Sequence, residues 1–284
     1  IIIIADLLFL PIAAWVLAKP ILAIKQYRNL FFVPLLVIFT LFNVLFHYAV
    51  VASTPVNITM IAYSNLTMVC LLISVMAGRV TPMFTANGTG TEKVLPISWL
   101  EKLCVLSLLL LAITFLVSAF TSISPVIIAC LCFAIAITQF IRWFRWKPWI
   151  TIPVPLLWSL HGAIKFLWFG FACLGAAYLE PSIAKNHVWH LLTIGTIGGI
   201  ILAMMARVSL GHTGRKLSAS TMIVIAFICI SLSALIRTFG PWFSPENTLL
   251  FIKASSGFWL IAFILFLIKY LPMFFTARVD GRPG

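Results

Sequence analysis

Acidic residues are scarce in this 284-residue chain: six Asp and Glu stand against nineteen Lys and Arg, and charged residues make up only 9% of the total. So few carboxylates, most of them in connecting segments, give little support to a paired-carboxylate acid–base mechanism. Also missing are a phosphate-binding glycine loop, an HExxH pair and a nucleophile triad, so the common soluble-enzyme chemistries find no residues here. The six cysteines (Cys70, Cys104, Cys130, Cys132, Cys173 and Cys229) form no CxxC pair and all fall inside apolar runs. They read as small apolar side chains and not as a disulfide framework. With no CxxCH, covalent c-type haem attachment is excluded. No basic segment precedes the first apolar run, so no signal peptide is visible. The chain opens Ile-Ile-Ile-Ile and not with Met, and the expectation is that the natural start lies upstream.

What the chain has in abundance is apolar length. Hydrophobic residues reach 63% and the mean hydropathy is +1.15, which a soluble domain of this size could not keep from water. The net charge of +13 is spread in short basic clusters between apolar runs, the pattern of membrane loops and not of a nucleic-acid surface. A spanning helix needs roughly twenty apolar residues. About nine such segments are present, near 2–18, 31–51, 58–78, 103–120, 125–142, 154–178, 187–207, 219–237 and 249–270. They lack the alternation of a barrel. The predicted fold class is therefore all-α, a polytopic transmembrane helical bundle forming one domain over 1–284 with no separate soluble domain. Residues 79–102, with Pro82, Asn87, Gly88, Gly90 and Pro96, read as the longest loop.

Basic residues set the expected orientation. Fifteen fall on one set of alternate connections and two, Lys185 and Arg237, on the other, with Lys165 and Lys253 left inside spans. By the positive-inside rule the C-terminus is cytoplasmic and Ile1 is outside. Pro82-Met83-Phe84-Thr85-Ala86 recurs loosely as Pro272-Met273-Phe274-Phe275-Thr276-Ala277 on the same inner side, either as an old repeat or by chance.

The densest motif runs Trp189-His190 through Ile194-Gly195-Thr196-Ile197-Gly198 to Arg207-Val208-Ser209-Leu210-Gly211-His212-Thr213-Gly214-Arg215. Read as W-H-x-L-T-x-G-x-x-G followed by R-x-S-L-G-H-T-G-R, it resembles the NnrS family. Gly78-Arg79-Val80-Thr81-Pro82-Met83-Phe84-Thr85 and Arg278-Val279-Asp280-Gly281-Arg282-Pro283-Gly284 are weaker echoes, so the resemblance is global. It implies a bacterial inner-membrane protein with haem and copper, acting in nitric oxide metabolism or in protection against nitrosative stress. It also implies about twelve spans, with a His-Glu motif in the first that has no counterpart in this sequence.

Three of the five histidines gather at the expected outer surface. His47 lies roughly 7 Å deep in the second span and His190 about 5 Å deep in the seventh, at 1.5 Å per residue, with His187 one turn above. His187 and His190, three apart, are expected to share a helix face. Neutral imidazole suits haem iron and also copper. The preferred assignment is a b-type haem with His47 and either His187 or His190 as axial ligands. The bland alternative is boundary histidines bonded to carbonyls.

His161 lies well inside the sixth span, with Lys165 four residues on and expected on the same inward face. It reads as a second ligand site or a proton path, or equally as a histidine bonded across helices beside a snorkelling lysine. On the inner side Arg207, His212, Arg215 and Lys216 cluster, suited to haem propionates or anionic headgroups. Rival functions are a secondary transporter using His161 and Lys165, and a cofactor-free accessory subunit of a respiratory complex. Partners in the haem reading are the lipid bilayer, nitric oxide or a related diatomic, and a respiratory electron donor.

Overall fold

The computed structural model of the chain describes residues 2–51 and 56–281. Ile1, residues 52–55, the closing Arg282-Pro283-Gly284 and the side chains of Ile2 and Arg28 lie outside that description. The described residues are 83% helical, and no strand occurs among them. Nine helices there are long and apolar enough to cross a membrane.

They are α1 (Ile2–Ala23), α2 (Phe32–Val51), α3 (Ile58–Thr89), α4 (Ser98–Ser118), α5 (Pro125–Arg145), α6 (Pro155–Leu179), a composite rod over Lys185–His212, α9 (Thr221–Phe243) and α10 (Thr248–Phe274). Within the rod, α7 (Lys185–His190) passes into a π-helical segment (Leu191–Gly198) and then α8 (Gly199–His212).

Two expectations change. The loop expected over 79–102 is helical as far as Thr89, because Thr81, Pro82, Thr85 and Ala86 form a buried stripe that continues the packed face of α3 past the proline. The seventh span, expected near 187–207, runs on to His212. Arg215 N–H donates to the Leu210 carbonyl at 2.9 Å and Gly214 N–H to that of Gly211 at 3.2 Å, with Gly214 at φ +68°. That is a Schellman cap, and its left-handed residue is Gly214.

The chain divides into two compact units, Ile1–Met68 with Leu111–Ile123, and Val69–Leu110 with Ser124–Gly284. In the first, α1 and α2 form a hairpin, and Ser64 Oγ donates to the Ala112 carbonyl at 2.6 Å. In the second, the core joins Leu156, Leu160 and Ile164 of α6 with Leu202, Ala203 and Ala206 of α8, Ala226, Phe227 and Ile230 of α9, and Phe266 and Tyr270 of α10.

Small residues let α6 and the π-helical rod approach closely. A Cβ at Gly195 would lie 2.6 Å from Phe166 Cγ, one at Gly199 3.0 Å from Ala163 Cβ, and one at Gly170 2.7 Å from a Leu192 methyl. Gly195 and Gly199 are thus a small-xxx-small pair of the kind that brings helix backbones together in membranes. Gly195→Ala is expected to destabilise the protein by about 1–3 kcal/mol through overpacking against a buried ring. Thermal unfolding of detergent-solubilised variant and parent reads this directly, and an unchanged midpoint would contradict the packing.

Candidate functional site

The rod that carries the long motif begins with His187 and His190. Three residues of helix separate them by about 60° around the axis, and α9 packs against this side of the rod. Thr238 Oγ1 donates to the His187 carbonyl at 3.1 Å. Its sequence neighbour Arg237 lines the other side. His187 accordingly lines a cavity of about 540 Å³ with Cys173, Phe239 and Trp242. His190 lines a different one, about 420 Å³, with Ile194, Arg237, Ser256, Trp259 and Leu260. The two rings share a side of the rod but line different cavities.

The His190 cavity has the more varied chemistry. It holds one imidazole and one guanidinium, with apolar walls from Ile194, Trp259 and Leu260. Ser233 and Ser255, which also line it, are buried and spend their hydroxyls on each other and on each other's carbonyls at 2.8–3.0 Å. His190 stands at the junction where the π-helical segment starts. Such segments widen the helix by one residue per turn and are frequent at functional sites. Arg237 was expected in an outer connection, whereas it sits inside α9. An ionisable residue within a span and facing a cavity is a functional signal. Sequence alone hid it, because the apolar run had seemed to end there.

His47 belongs to the first unit and makes its own arrangement. Its Nε2 lies 2.8 Å from Asp6 Oδ2 across the α1–α2 hairpin, and Asn43 Nδ2 donates to the same oxygen at 2.8 Å. Nδ1 is the ring nitrogen that this pair leaves for a ligand. Asp6 orients this imidazole, as carboxylates do for ligating histidines.

His161 is 2% exposed. Its Nε2 lies 2.8 Å from Thr85 Oγ1 of α3, its carbonyl accepts from Trp143 Nε1 at 3.0 Å, and its buried Nδ1 has no hydrogen-bond partner among the described residues. Lys165 does not join it. Four residues on, it is exposed, with Nζ 5.3 Å from the centre of the Phe166 ring. The inward face of α6 is filled by Leu160, Ala163, Ile164 and Leu167, and the step from 161 to 165 carries Lys165 over the edge of that face.

The inner cluster is largely committed to the fold. Arg207 stacks its guanidinium 4.2 Å from the centre of Phe84. Arg215 donates to Thr276 Oγ1 at 2.8 Å and reaches the Thr213 carbonyl at 3.5 Å, and Val279 N–H donates to that carbonyl at 3.3 Å. Arg278 and Asp280 pair at 2.6 Å, which holds the Arg278 guanidinium above its ordinary pKa. His212 is exposed. The two Pro-Met-Phe segments thus each meet one arginine of the long motif.

Sequence reasoning also missed a buried polar network. Arg142, counted as a loop charge, is 1% exposed inside α5. It donates to Glu101 Oε2 at 2.9 Å, to Ser74 Oγ at 2.6 Å and Ser74 O at 3.1 Å, and to Gln139 Oε1 at 2.6 Å. Gly78 admits this network, since a Cβ there would lie 3.0 Å from Glu101 Oε2 and 3.2 Å from Arg142 Nη1.

Among the described residues no three His, Cys, Asp or Glu side chains converge as a metal-binding group. The His190 cavity and the His47 arrangement each supply one imidazole. A family model described as "NnrS protein" matches residues 1–278. No curated protein and no solved structure matches the chain.

Proposed function

Because this chain belongs to the NnrS family, we propose that it binds haem b in a bacterial inner membrane and serves the nitric oxide response by binding or redox-converting a small diatomic. The family itself supports a membrane protein of that response. The observation that carries the finer reading is one cavity holding His190 and Arg237 together beside a π-helical turn.

When bound there, haem iron would supply the position at which nitric oxide or a related diatomic is held. His190 offers an imidazole nitrogen to the metal. Arg237 offers a planar fork of donors matched to a propionate carboxylate. Ile194, Trp259 and Leu260 limit water around both. His47, braced by Asp6 and Asn43, is the candidate for a further metal contact through Nδ1. His161 keeps an unpartnered Nδ1 and stays a candidate ligand or proton carrier. His187 does not line the His190 cavity. Arg207, Arg215 and His212 face lipid headgroups or propionates only with whatever donors their fold contacts leave free.

A cytoplasmic C-terminus follows from the basic bias, and withdrawing Arg142 and Arg237, one from each side, leaves that bias unchanged in direction. A copper ion, also implied by resemblance, would need donors beyond these clusters. Nothing observed favours the transporter, whose His161–Lys165 pair is divided between core and surface.

The test is a reduced-minus-oxidised spectrum of the purified protein with pyridine haemochrome and metal analysis on the same sample. Stoichiometric b-type haem is expected. Protein free of haem after expression with adequate haem supply would end the reading.

A further inference from the structure

The second cavity, lined by His187, is separate from the site just proposed. It lies where α6 ends, the 180–188 segment begins the rod, and α9 turns into α10. About 540 Å³ falls within the range of pockets that take drug-sized ligands. Its walls include Cys173 and Ala176 of α6 and Phe239, Pro241 and Trp242 of α9.

The polar groups of this cavity narrow the choice of ligand. Thr238 spends its hydroxyl on the His187 carbonyl at 3.1 Å and Thr248 spends its own on the Pro245 carbonyl at 2.6 Å. Ser182 gives its N–H to Glu180 Oε1 at 3.1 Å and its hydroxyl to the same carboxylate, bonds that hold the Glu180 carboxyl below its ordinary pKa. No described residue hydrogen-bonds the His187 ring. The cavity thus offers one uncommitted imidazole among aromatic and small apolar walls. A charged or sugar-like ligand would leave polar atoms unpaired there, at a cost the walls do not offset. A plain acyl chain would leave the imidazole unused. A flat apolar ring carrying a hydrogen-bonding oxygen satisfies both, by stacking on Phe239 or Trp242 and bonding to His187.

We propose that this cavity is a binding site for the ring of an isoprenoid quinone, with His187 hydrogen-bonding a ring oxygen. A membrane-dissolved ligand of this class reaches a mouth at the end of the spans by lateral diffusion. Its binding does not depend on the haem reading.

The probe is decylubiquinone, titrated into the full chain in lipid nanodiscs while tryptophan fluorescence is followed. Saturable quenching is expected, weakened roughly tenfold in midpoint by His187→Ala, the loss of about one good hydrogen bond. Trp242→Phe should remove part of the saturable amplitude. Ala176→Phe, which fills the cavity, should abolish saturation while circular dichroism and melting midpoint show a folded protein. Quenching that rises linearly and identically in the parent and in Ala176→Phe would mean partition into lipid and overturn the proposal. So would equal displacement of the probe by a saturated C10 alcohol, which would make the cavity a lipid-tail site.

Discussion

Arg142→Met is expected to cost about 3 kcal/mol of stability, near the lower end of what breaking a buried ion pair costs when one partner stays behind. The variant keeps the stem's volume and loses every donor. Gln139 Oε1 would then be a buried oxygen without its donor, while Ser74 Oγ would keep only the Gln139 Nε2 bond at 2.8 Å, and Glu101, whose side chain is 29% exposed, would recover some water and moderate the loss. The cation also lies 5.2 Å from the centre of the Trp146 ring, a contact the variant forfeits. Glu101→Gln in the same background should restore part of the stability, because it removes the stranded charge; the double-mutant cycle reads their coupling. Unfolding in graded denaturing detergent is the measurement. A loss within about 0.5 kcal/mol, the range of ordinary surface changes, would mean that Arg142 is not bonded as described.

His190→Ala carries the largest functional effect. If His190 is the protein's ligand to haem iron, its removal should weaken haem retention by more than the about 10–100-fold seen when an outer-shell partner is lost. His187→Ala, three residues earlier, should leave the haem content unchanged, because that ring lines the other cavity. Haem-to-protein ratio from pyridine haemochrome separates the two. Equal loss in both variants would place the ligand outside the His190 cavity. Arg237→Lys gives a finer reading: the charge stays but the fork is lost, so retention should fall less than with His190→Ala.

Much of the fold was legible because apolar length is a strong signal. All nine segments correspond to helices among the described residues, from α1 to α10, and no alternation was needed to find them. The misses share a cause. At Thr81–Ala86 a proline and polar residues suggested a loop, but a buried face of small hydroxyls and Pro82 continues the helix. Arg142 and Arg237 were taken for loop charges because each lies within six residues of a span end, where hydropathy cannot tell a snorkelling cation from an inward one. The histidines were visible as rare residues, yet their partners were not. Asp6 and His47 are 41 positions apart, and Thr85 and His161 are 76 apart, distances at which only the folded chain makes pairs. The same holds for Gly195 and Gly214. The first proves to admit Phe166, and the second takes a positive φ against Asp280.

The π-helical stretch sets the angular register of the whole rod. Its wider ladder takes up one more residue per turn than the α-helices on either side. It therefore works as a phase shifter between Lys185–His190 and Gly199–His212. A helical wheel drawn straight through the rod aligns His190 with the wrong residues of the arginine end. Deleting a single residue between Leu191 and Gly198 would rotate one half against the other by about 100°, and in doing so would turn the histidines relative to the glycine seam that fixes the rod against α6.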